Sequence, residues 1–271
     1  MSRIASAFAR AADQDRAAFI GYLTAGDPDP DGTVRLAGAL ARAGADVLEL
    51  GVPFSDPIAD GPVLQRAASR ALAAGTTLAS VFAMARRIRA ETDLALVLFS
   101  YVNPILRLGF ERAAREAREA GFDGVLLTDV PPEESAWVHP PLRREGLDTI
   151  LLVSPTSPAR RMHDAARLSS GFLYVVSRPG TTGARDRLPD DLPLTVRRAR
   201  KAARDLPVAI GFGISTPDAA RAAARLADGV VVGSALVRAA ETAATPREAE
   251  RSVERLARDL VSACRRTGRA S

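Results

Sequence analysis

Short apolar runs alternate with amphipathic segments along the whole chain. Eight of these runs are nearly continuous in apolar residues, which is the pattern of parallel strands that helices cover on the outside. The predicted strands span residues 18–23, 46–51, 94–100, 124–128, 149–153, 172–177, 207–211 and 229–233. The segments between them have helical periodicity, so the pattern predicts a strand–helix unit that recurs from one end of the chain to the other.

Eight such units predict a closed α/β barrel. Strands that alternate with helices form right-handed βαβ units and a parallel sheet, and eight units in roughly 250 residues is the size of a (βα)8 TIM barrel. An open, doubly wound sheet is the alternative, but no glycine fingerprint follows the first strand. Because no linker or change in composition interrupts the pattern, we expect one domain over residues 1–271, with a helix before the first strand.

Composition and charge narrow the class of protein. The 271 residues are 47% hydrophobic, which is enough for a full core. The net charge of +5 comes from basic residues interleaved with acids on helices, and only 5% of residues are aromatic, so we expect no binding to nucleic acid. The chain has no apolar run of bilayer length and no apolar signal stretch at its start, and its single cysteine, Cys264, cannot form an internal disulfide. We therefore expect a cytoplasmic protein without membrane association.

Two of the connections that follow strands are long. In barrels of this class, function lies on the loops at the carboxyl ends of the strands. The sequence GVPFSDPIADGPVLQ, which is acidic and rich in proline, follows strand 2, and the glycine-rich SRPGTTGARDRLPDDLP follows strand 6. We expect these extended loops to act as lids or as partner surfaces.

Glycines at the ends of strands 7 and 8 predict an anion site. Gly213 follows strand 7, and Gly233 and Ser234 precede a helix after strand 8. Glycine lets backbone N–H groups approach an anion, a helix N-terminus attracts negative charge, and barrels frequently bind phosphate at these two loops. Thr182 and Gly183, in the loop after strand 6, could close over the same phosphate.

Two carboxylates are candidates for the chemistry. Alternation along strand 2 gives Leu48 and Leu50 one face and Glu49 the other, so we expect Glu49 to point into the mouth of the barrel. A buried carboxylate is costly unless it is paired or used, and a core salt bridge to an arginine is the alternative. Asp60 lies eleven residues later, before Gly61-Pro62, and could equally be an aspartate that starts or caps a helix.

Residues that are missing exclude other mechanisms. Schiff-base chemistry needs a lysine in the mouth of the barrel, whereas the only lysine, Lys201, lies in a charged helical segment. The two histidines, His139 and His163, form no metal-binding cluster with cysteines and acids in the sequence, and Cys264 lies near the end of the last helix. We therefore expect acid–base catalysis by carboxylates on a phosphorylated small molecule, without a dedicated metal site.

The chain also resembles a known family. The segment LELGVPFSDPIADGPVLQRA, around strand 2, closely resembles the signature of the tryptophan synthase α subunits. The same family is matched in order by FIGYLTAGDPD, YVNPI, GVLLTDVPPEES, YVVSRPGTTGAR, GFGIS and GVVVGSALV. The resemblance covers essentially the whole chain.

The resemblance implies a reaction without a cofactor, the cleavage of indole-3-glycerol phosphate to indole and glyceraldehyde 3-phosphate. In this retro-aldol reaction, indole C3 gains a proton and the adjacent side-chain hydroxyl loses one. Glu49 matches the family's general acid and base. Asp60 matches the residue that accepts a hydrogen bond from indole N1–H.

Further roles follow from the resemblance residue by residue. The expected substrate-binding residues are Tyr22, Phe99, Leu126, Tyr174, Thr182, Gly183, Phe212, Gly213, Gly233 and Ser234. The expected contacts with a β subunit are Pro53, Asp56, Pro57, Asn103 and Pro104. The resemblance implies an α2β2 heterotetramer, in which indole passes to the β subunit.

The sequence departs from the family pattern at a few places. Pro179 and Thr181 are unusual in the loop after strand 6, and Val102 replaces an aromatic residue. None of these changes affects Glu49, Asp60 or the phosphate glycines. Three alternatives to an α subunit that works with a β subunit stay open: a free-standing indole-3-glycerol phosphate lyase, a catalytically idle barrel that activates a partner, and another phosphate-binding barrel enzyme. Intact Glu49 and Asp60 argue against the idle barrel, and the segment around strand 2 argues against the last alternative.

Overall fold

A computed structural model describes residues 1–176, 188–211 and 213–266 of the chain. Eight parallel strands close into a barrel in sequence order, with β8 paired to β1, so the predicted (βα)8 barrel is confirmed and the open sheet is excluded. The strands are β1 Ala18–Thr24, β2 Val47–Gly51, β3 Ala95–Ser100, β4 Gly124–Leu127, β5 Asp148–Val153, β6 Leu173–Val176, β7 Val208–Gly211 and β8 Gly229–Val232. Predicted and observed bounds differ by no more than one residue at either end.

Twelve α-helices are formed by the described residues. They are α1 Arg3–Asp13, α2 Pro30–Ala43, α3 Pro62–Ala73, α4 Leu78–Glu91, α5 Val102–Leu108, α6 Phe110–Glu119, α7 Ser135–Arg144, α8 Ala159–Leu168, α9 Leu192–Ala203, α10 Pro217–Leu226, α11 Ser234–Glu241 and α12 Pro246–Ala263. None of those that the structure describes is both long and apolar enough to cross a bilayer. The predicted helix before the first strand is α1.

Helix α1 closes the barrel at the amino-terminal ends of the strands. The ring of Phe8 packs on that of Phe172, which directly precedes β6, at 5.5 Å between centroids. Ile4 lies against Gly124, the first residue of β4, where a Cβ atom would approach its side chain to 2.8 Å. Because α1 fills this end with apolar side chains, the barrel opens to solvent at the opposite end.

The strands separate two apolar layers. Along β2, Leu48 and Leu50 belong to the layer packed beneath the helices, while Val47 belongs to the barrel interior together with Tyr22. Successive side chains of a strand point to opposite faces. Glu49 therefore shares the inner face with Val47, as the alternation of the sequence predicts.

Aspartates fix neighbouring strands at the closed end of the barrel. Asp46, Asp123 and Asp228 directly precede β2, β4 and β8, and each accepts a backbone hydrogen bond from the preceding strand in the barrel. The donors are the N–H groups of Phe19 at 2.8 Å, Leu96 at 2.9 Å and Val208 at 3.0 Å. Each aspartate also forms an ion pair with an arginine. The pair of Asp46 with Arg16 is bidentate, with hydrogen bonds of 2.5 and 2.7 Å.

Loss of the Asp46 carboxylate should destabilise the fold strongly. Asp46→Ala leaves Arg16 without its partner and the Phe19 N–H without an acceptor, so we expect the free energy of unfolding to fall by about 3–5 kcal/mol. Urea denaturation measures this loss. Asp31→Ala is the control because it breaks an exposed pair with Arg87, and it should cost no more than about 1 kcal/mol. Equal losses in the two variants would contradict the role given to the closed end.

Candidate active site

A cleft opens at the carboxyl ends of the strands and collects most of the predicted site residues. Those that line it are Tyr22, Glu49, Asp60, Phe99, Tyr174, Gly213, Gly233 and Ser234. Four lining residues were not predicted from the sequence, namely Leu64, Ile214, Val231 and Ala235. The cleft thus holds two carboxyl groups, three aromatic rings and the turns that follow β7 and β8.

Glu49 is buried in the cleft without a counter-charge. Its side chain lies between Tyr22 of β1 and Val97 of β3 in the strand register, and the residue is 1% exposed. Its Oε1 atom has no hydrogen-bond partner among the residues that the structure describes, and none of their arginine or lysine side chains forms an ion pair with it. Burial raises the pKa of the carboxyl from 4.5 to about 8. The expected alternative, a core salt bridge, is therefore absent within the described ranges.

The carboxyl group of Asp60 accepts a hydrogen bond from a tyrosine that follows another strand. Tyr101, directly after β3, donates a hydrogen bond to Asp60 Oδ2 at 3.2 Å and accepts one from the Ala59 N–H at 2.9 Å. Burial raises the pKa of Asp60 from 3.8 to about 6, and the hydrogen bond from Tyr101 opposes that rise. The N-cap of α3 is Gly61, so Asp60 is not the capping residue that the sequence left open.

Tyr101 is a site residue that the sequence analysis missed. Its ring packs on Phe54 with centroids 5.1 Å apart, which ties the loop after β2 to the end of β3. The available signal was a tyrosine at the carboxyl end of a predicted strand, where barrels place functional groups. Leu64 carried a similar signal, because it lies in the first turn of the helix that follows Asp60.

Aromatic side chains form the walls around Glu49. Tyr22 and Phe99 meet edge to face at 5.2 Å between ring centroids. Burial raises the pKa values of Tyr22 and Tyr174, and the pKa of Tyr22 is raised further by the negative charge of Asp60, so these hydroxyl groups stay protonated. Leu126 is buried in the barrel interior and is not among the residues that line the cleft.

Two glycines give the tyrosines their room. A Cβ atom at Gly51 would overlap the hydroxyl of Tyr22, and one at Gly211 would overlap the hydroxyl of Tyr174. Each tyrosine therefore extends over the backbone of the neighbouring strand. A side chain at either glycine would push the ring into the cleft.

The turn after β7 and the start of α11 form the other side of the cleft. Gly213 has a φ of +90°, a conformation that favours glycine. The carbonyl of Gly233 accepts hydrogen bonds from the N–H groups of Leu236 and Val237 at 2.9 and 3.1 Å, so α11 begins here. The N–H groups of Ser234 and Ala235 come before these first intrahelical hydrogen bonds and carry partial positive charge. This end of the cleft is suited to a phosphate group.

Some predicted residues cannot be compared with the structure. Thr182, Gly183 and Phe212 lie outside the described residues, as do Pro179 and Thr181. Their expected roles stay predictions. No three His, Cys, Asp or Glu side chains in the described ranges lie close enough together to hold a metal ion.

The predicted partner contacts lie beside a surface groove next to the cleft. Pro53, Asn103 and Pro104 line this groove, and Asp56 and Pro57 lie in the same loop after β2. Ile58, the next residue in that loop, is 81% exposed, which is unusual for a large apolar side chain.

Fold and site together define a class of protein. A closed barrel whose mouth holds two carboxyl groups of raised pKa beside a helix N-terminus is typical of enzymes that carry out acid–base chemistry on small phosphorylated molecules.

Comparison with known proteins identifies the family. The tryptophan synthase alpha chain family matches residues 8–265. A tryptophan synthase alpha chain of Solibacter usitatus is 50% identical over 260 residues, 96% of this chain and 97% of the relative. One of Geobacter sulfurreducens is 51% identical over 238 residues, 88% of this chain and 90% of the relative.

Solved structures agree with the sequence comparison. The structure of Mycobacterium tuberculosis tryptophan synthase matches with a TM-score of 0.89 at 36% identity, covering 97% of this chain and 98% of the matched chain. The alpha chain of Legionella pneumophila matches with a TM-score of 0.89 at 36% identity and 99% coverage of both chains. The chain belongs to the tryptophan synthase alpha chain family, as the resemblance predicted. It is a lyase subunit of tryptophan biosynthesis that acts on indole-3-glycerol phosphate, in a family that works with a β subunit.

The raised pKa of Glu49 predicts a pH-dependent stability. The folded protein keeps a proton that the unfolded chain loses between pH 4.5 and about 8, so the free energy of unfolding should fall as pH rises through this range. Glu49→Gln cannot ionise and should be more stable than the unchanged protein at pH 8, by on the order of a few kcal/mol. Urea denaturation at a series of pH values measures the difference.

Asp60→Asn is the matched comparison for this pH series. Burial raises the pKa of the Asp60 carboxyl group from 3.8 to about 6. The Asn variant should therefore remove only the fall in the free energy of unfolding between these two pH values. A Glu49→Gln protein that shows the same pH dependence as the unchanged protein would contradict the assignment.

Proposed function

We propose that Glu49 and Asp60 together carry out the retro-aldol cleavage of indole-3-glycerol phosphate to indole and glyceraldehyde 3-phosphate. One observation carries the proposal. Two carboxyl groups with different raised pKa values lie in one cleft, which also has an apolar wall and a helix N-terminus. The apolar wall suits the indole ring, the carboxyl groups suit the proton transfers, and the helix N-terminus suits the phosphate group.

The phosphate end anchors the substrate. The first turn of α11, with Gly233 and Ser234, and the turn at Gly213 offer N–H groups to the phosphate oxygens. The apolar walls, with Tyr22, Phe99 and Leu64, then take the indole ring. An anchored substrate presents the bond between its ring and its side chain to Glu49.

Glu49 exchanges protons with both sides of the bond that breaks. A pKa of about 8 keeps its carboxyl group protonated near neutral pH, so it can donate a proton to indole C3. The resulting carboxylate then removes the proton of the adjacent side-chain hydroxyl. The carbon–carbon bond breaks, its electron pair returns to the indole ring, and the hydroxyl carbon becomes the aldehyde. Glu49 finishes in its starting protonation state.

Asp60 stabilises the charge that forms in the ring. Protonation at C3 leaves a positive charge that is shared with N1, and a carboxylate that accepts the N1–H hydrogen bond stabilises it. The pKa of about 6 leaves Asp60 ionised at neutral pH, while Glu49 stays protonated. The hydrogen bond from Tyr101 favours the ionised form and holds the carboxylate in the cleft.

An α subunit that docks on a β subunit is favoured over a free-standing lyase. Phe54, Ile58, Leu72, Asn103 and Pro104 form an exposed or groove-lining surface beside the cleft, which we call the docking surface. Apolar side chains that cluster at the surface are typical of an interface, and Ile58 lies in the same loop as Phe54 of the groove. We propose that this chain and a β subunit assemble as an α2β2 heterotetramer in the cytoplasm and that indole passes from this chain to the β subunit.

Substitution of Glu49 tests the catalytic role. Glu49→Gln keeps the shape of the side chain but cannot exchange the proton, so indole release should fall by at least the ~10²–10⁴-fold of a general acid–base catalyst. Binding of the substrate, measured by calorimetry with the full chain, should change little. Turnover close to that of the unchanged protein would refute the role of Glu49.

Substitution of Ile58 tests the docking surface. Ile58→Asp should weaken binding of a β subunit about tenfold or more, because it puts a charge into an apolar contact. Gel filtration and titration of β-subunit binding measure the effect. Leu194→Asp is the matched control, since Leu194 is also exposed but lies on α9, away from this surface. If the unchanged chain neither co-elutes with a β subunit nor gains activity from it, the free-standing enzyme is the better explanation.

A further inference from the structure

A cluster of four charged residues lies at the outer side of the barrel mouth. Arg70 forms a bidentate pair with Asp27, at 2.8 Å for both hydrogen bonds, and also donates to Glu241 at 2.7 Å. Arg66 forms a second bidentate pair with Glu241 at 2.8 Å. We call these four residues the Arg70 cluster. Arg70 is the member that joins both acids.

The cluster joins three neighbouring strand–helix connections. Asp27 lies between β1 and α2, Arg70 lies on α3 after β2, and Glu241 ends α11 after β8. The barrel order places β8, β1 and β2 side by side. With one side chain, Arg70 therefore ties its own connection, after β2, to the connections after β1 and β8.

Each of the three connections carries part of the candidate site. Tyr22 lies in β1, just before the first connection, the loop before α3 carries Asp60, and α11 begins at the phosphate end with Ser234. The two helices meet again at the cleft, because Leu64 of α3 and Ala235 of α11 both line it. Helices α3 and α11 are thus adjacent at the cleft, and the hydrogen bond between Arg70 and Glu241 links them further along.

A displacement at one end of a short helix also displaces its other end. α11 has 8 residues and is about 12 Å long, and Arg70 lies about as far along α3 from Pro62, which begins the helix two residues after Asp60. A helix of this length moves as a rigid element. A change in spacing at the Arg70 cluster therefore shifts Asp60 relative to the start of α11.

The cluster differs from an ordinary surface ion pair. Asp27 is only 7% exposed, so loss of Arg70 leaves a buried carboxylate without its partner. Glu241 lies at a helix C-terminus, where the helix dipole disfavours negative charge. The hydrogen bonds from Arg66 and Arg70 lower the pKa of Glu241 to about 2 and so offset this cost.

We propose that Arg70 is a positioning residue of the lyase, which sets the distance between Asp60 and the phosphate-binding start of α11 by holding Asp27 and Glu241 together. The proposal rests on the proposed function, because the distance matters only to a substrate that contacts both ends of the cleft. Arg70 itself does not line the cleft.

Steady-state kinetics of the full-length Arg70→Met chain test the proposal. The methionine keeps the aliphatic part of the side chain but removes all three hydrogen bonds. We expect kcat for indole release to fall about tenfold to a hundredfold, the cost of a misplacement near 1 Å. Affinity for glyceraldehyde 3-phosphate should be retained, because this product reaches only the phosphate end. Arg70→Lys should lose nearly as much, because a single ammonium group cannot bind two carboxylates in this geometry.

The control variant is Arg42→Met. Arg42 also bridges two carboxylates, Glu250 at 2.6 Å and Glu254 at 3.0 Å, but it joins α2 to α12 away from the cleft. Its removal should lower the melting temperature without changing kcat. If Arg70→Met does not fold, Glu241→Gln breaks only the link to α11 and should give a smaller fall in kcat.

Two results would overturn the proposal. One is an Arg70→Met protein whose kcat equals that of the Arg42→Met control, which would leave the cluster a purely stabilising role. The other is a loss of glyceraldehyde 3-phosphate affinity as large as the loss of kcat, which would mean that Arg70 shapes the phosphate end alone. Failure of the unchanged chain to release indole would instead contradict the proposed function.

Discussion

The burial of Glu49, with no counter-charge among the residues that the structure describes, is the constraint on which the rest of the site depends. A carboxyl group inside an apolar layer favours its protonated form, because the ionised form loses its hydration and gains no cation in return. The surroundings of Glu49 are consistent with this reading, since Tyr22, Phe99 and Tyr174 bring rings rather than basic groups. A core selected only for stability would have an apolar side chain at this position.

The two ends of the barrel treat carboxylates in opposite ways. At the closed end, Asp46 and its counterparts accept backbone hydrogen bonds and pair with arginine, so the charges hold adjacent strands in register. At the open end, Glu49 has no such partner in the described ranges and Asp60 has only the hydroxyl of Tyr101.

Alternation and loop position made much of this predictable from the sequence. Strand 2 places Glu49 opposite its two leucines, and the glycines after strands 7 and 8 mark the anion end, because both signals are local. Tyr101 and the Arg70 cluster were not predicted, since they depend on distances between loops. Arg70 and Glu241 are 171 residues apart in the chain, and no local pattern marks their contact. Leu126 was expected in the indole wall through the family resemblance alone, since strand alternation gives the face on which a residue lies but not its depth in the barrel.

Different surroundings divide the chemistry between two similar side chains. Glu49 is fully enclosed and keeps its proton, whereas Asp60 lies at the end of a loop where one hydroxyl group stabilises its charge. A single cleft therefore holds an acid and an anion at the same neutral pH, and neither needs a metal ion to shift its pKa. The division lasts only while the loop of Asp60 stays in place, and the packing of Tyr101 on Phe54 holds it from one side. The structural ties outside the cleft are in this sense part of the acid–base chemistry inside it.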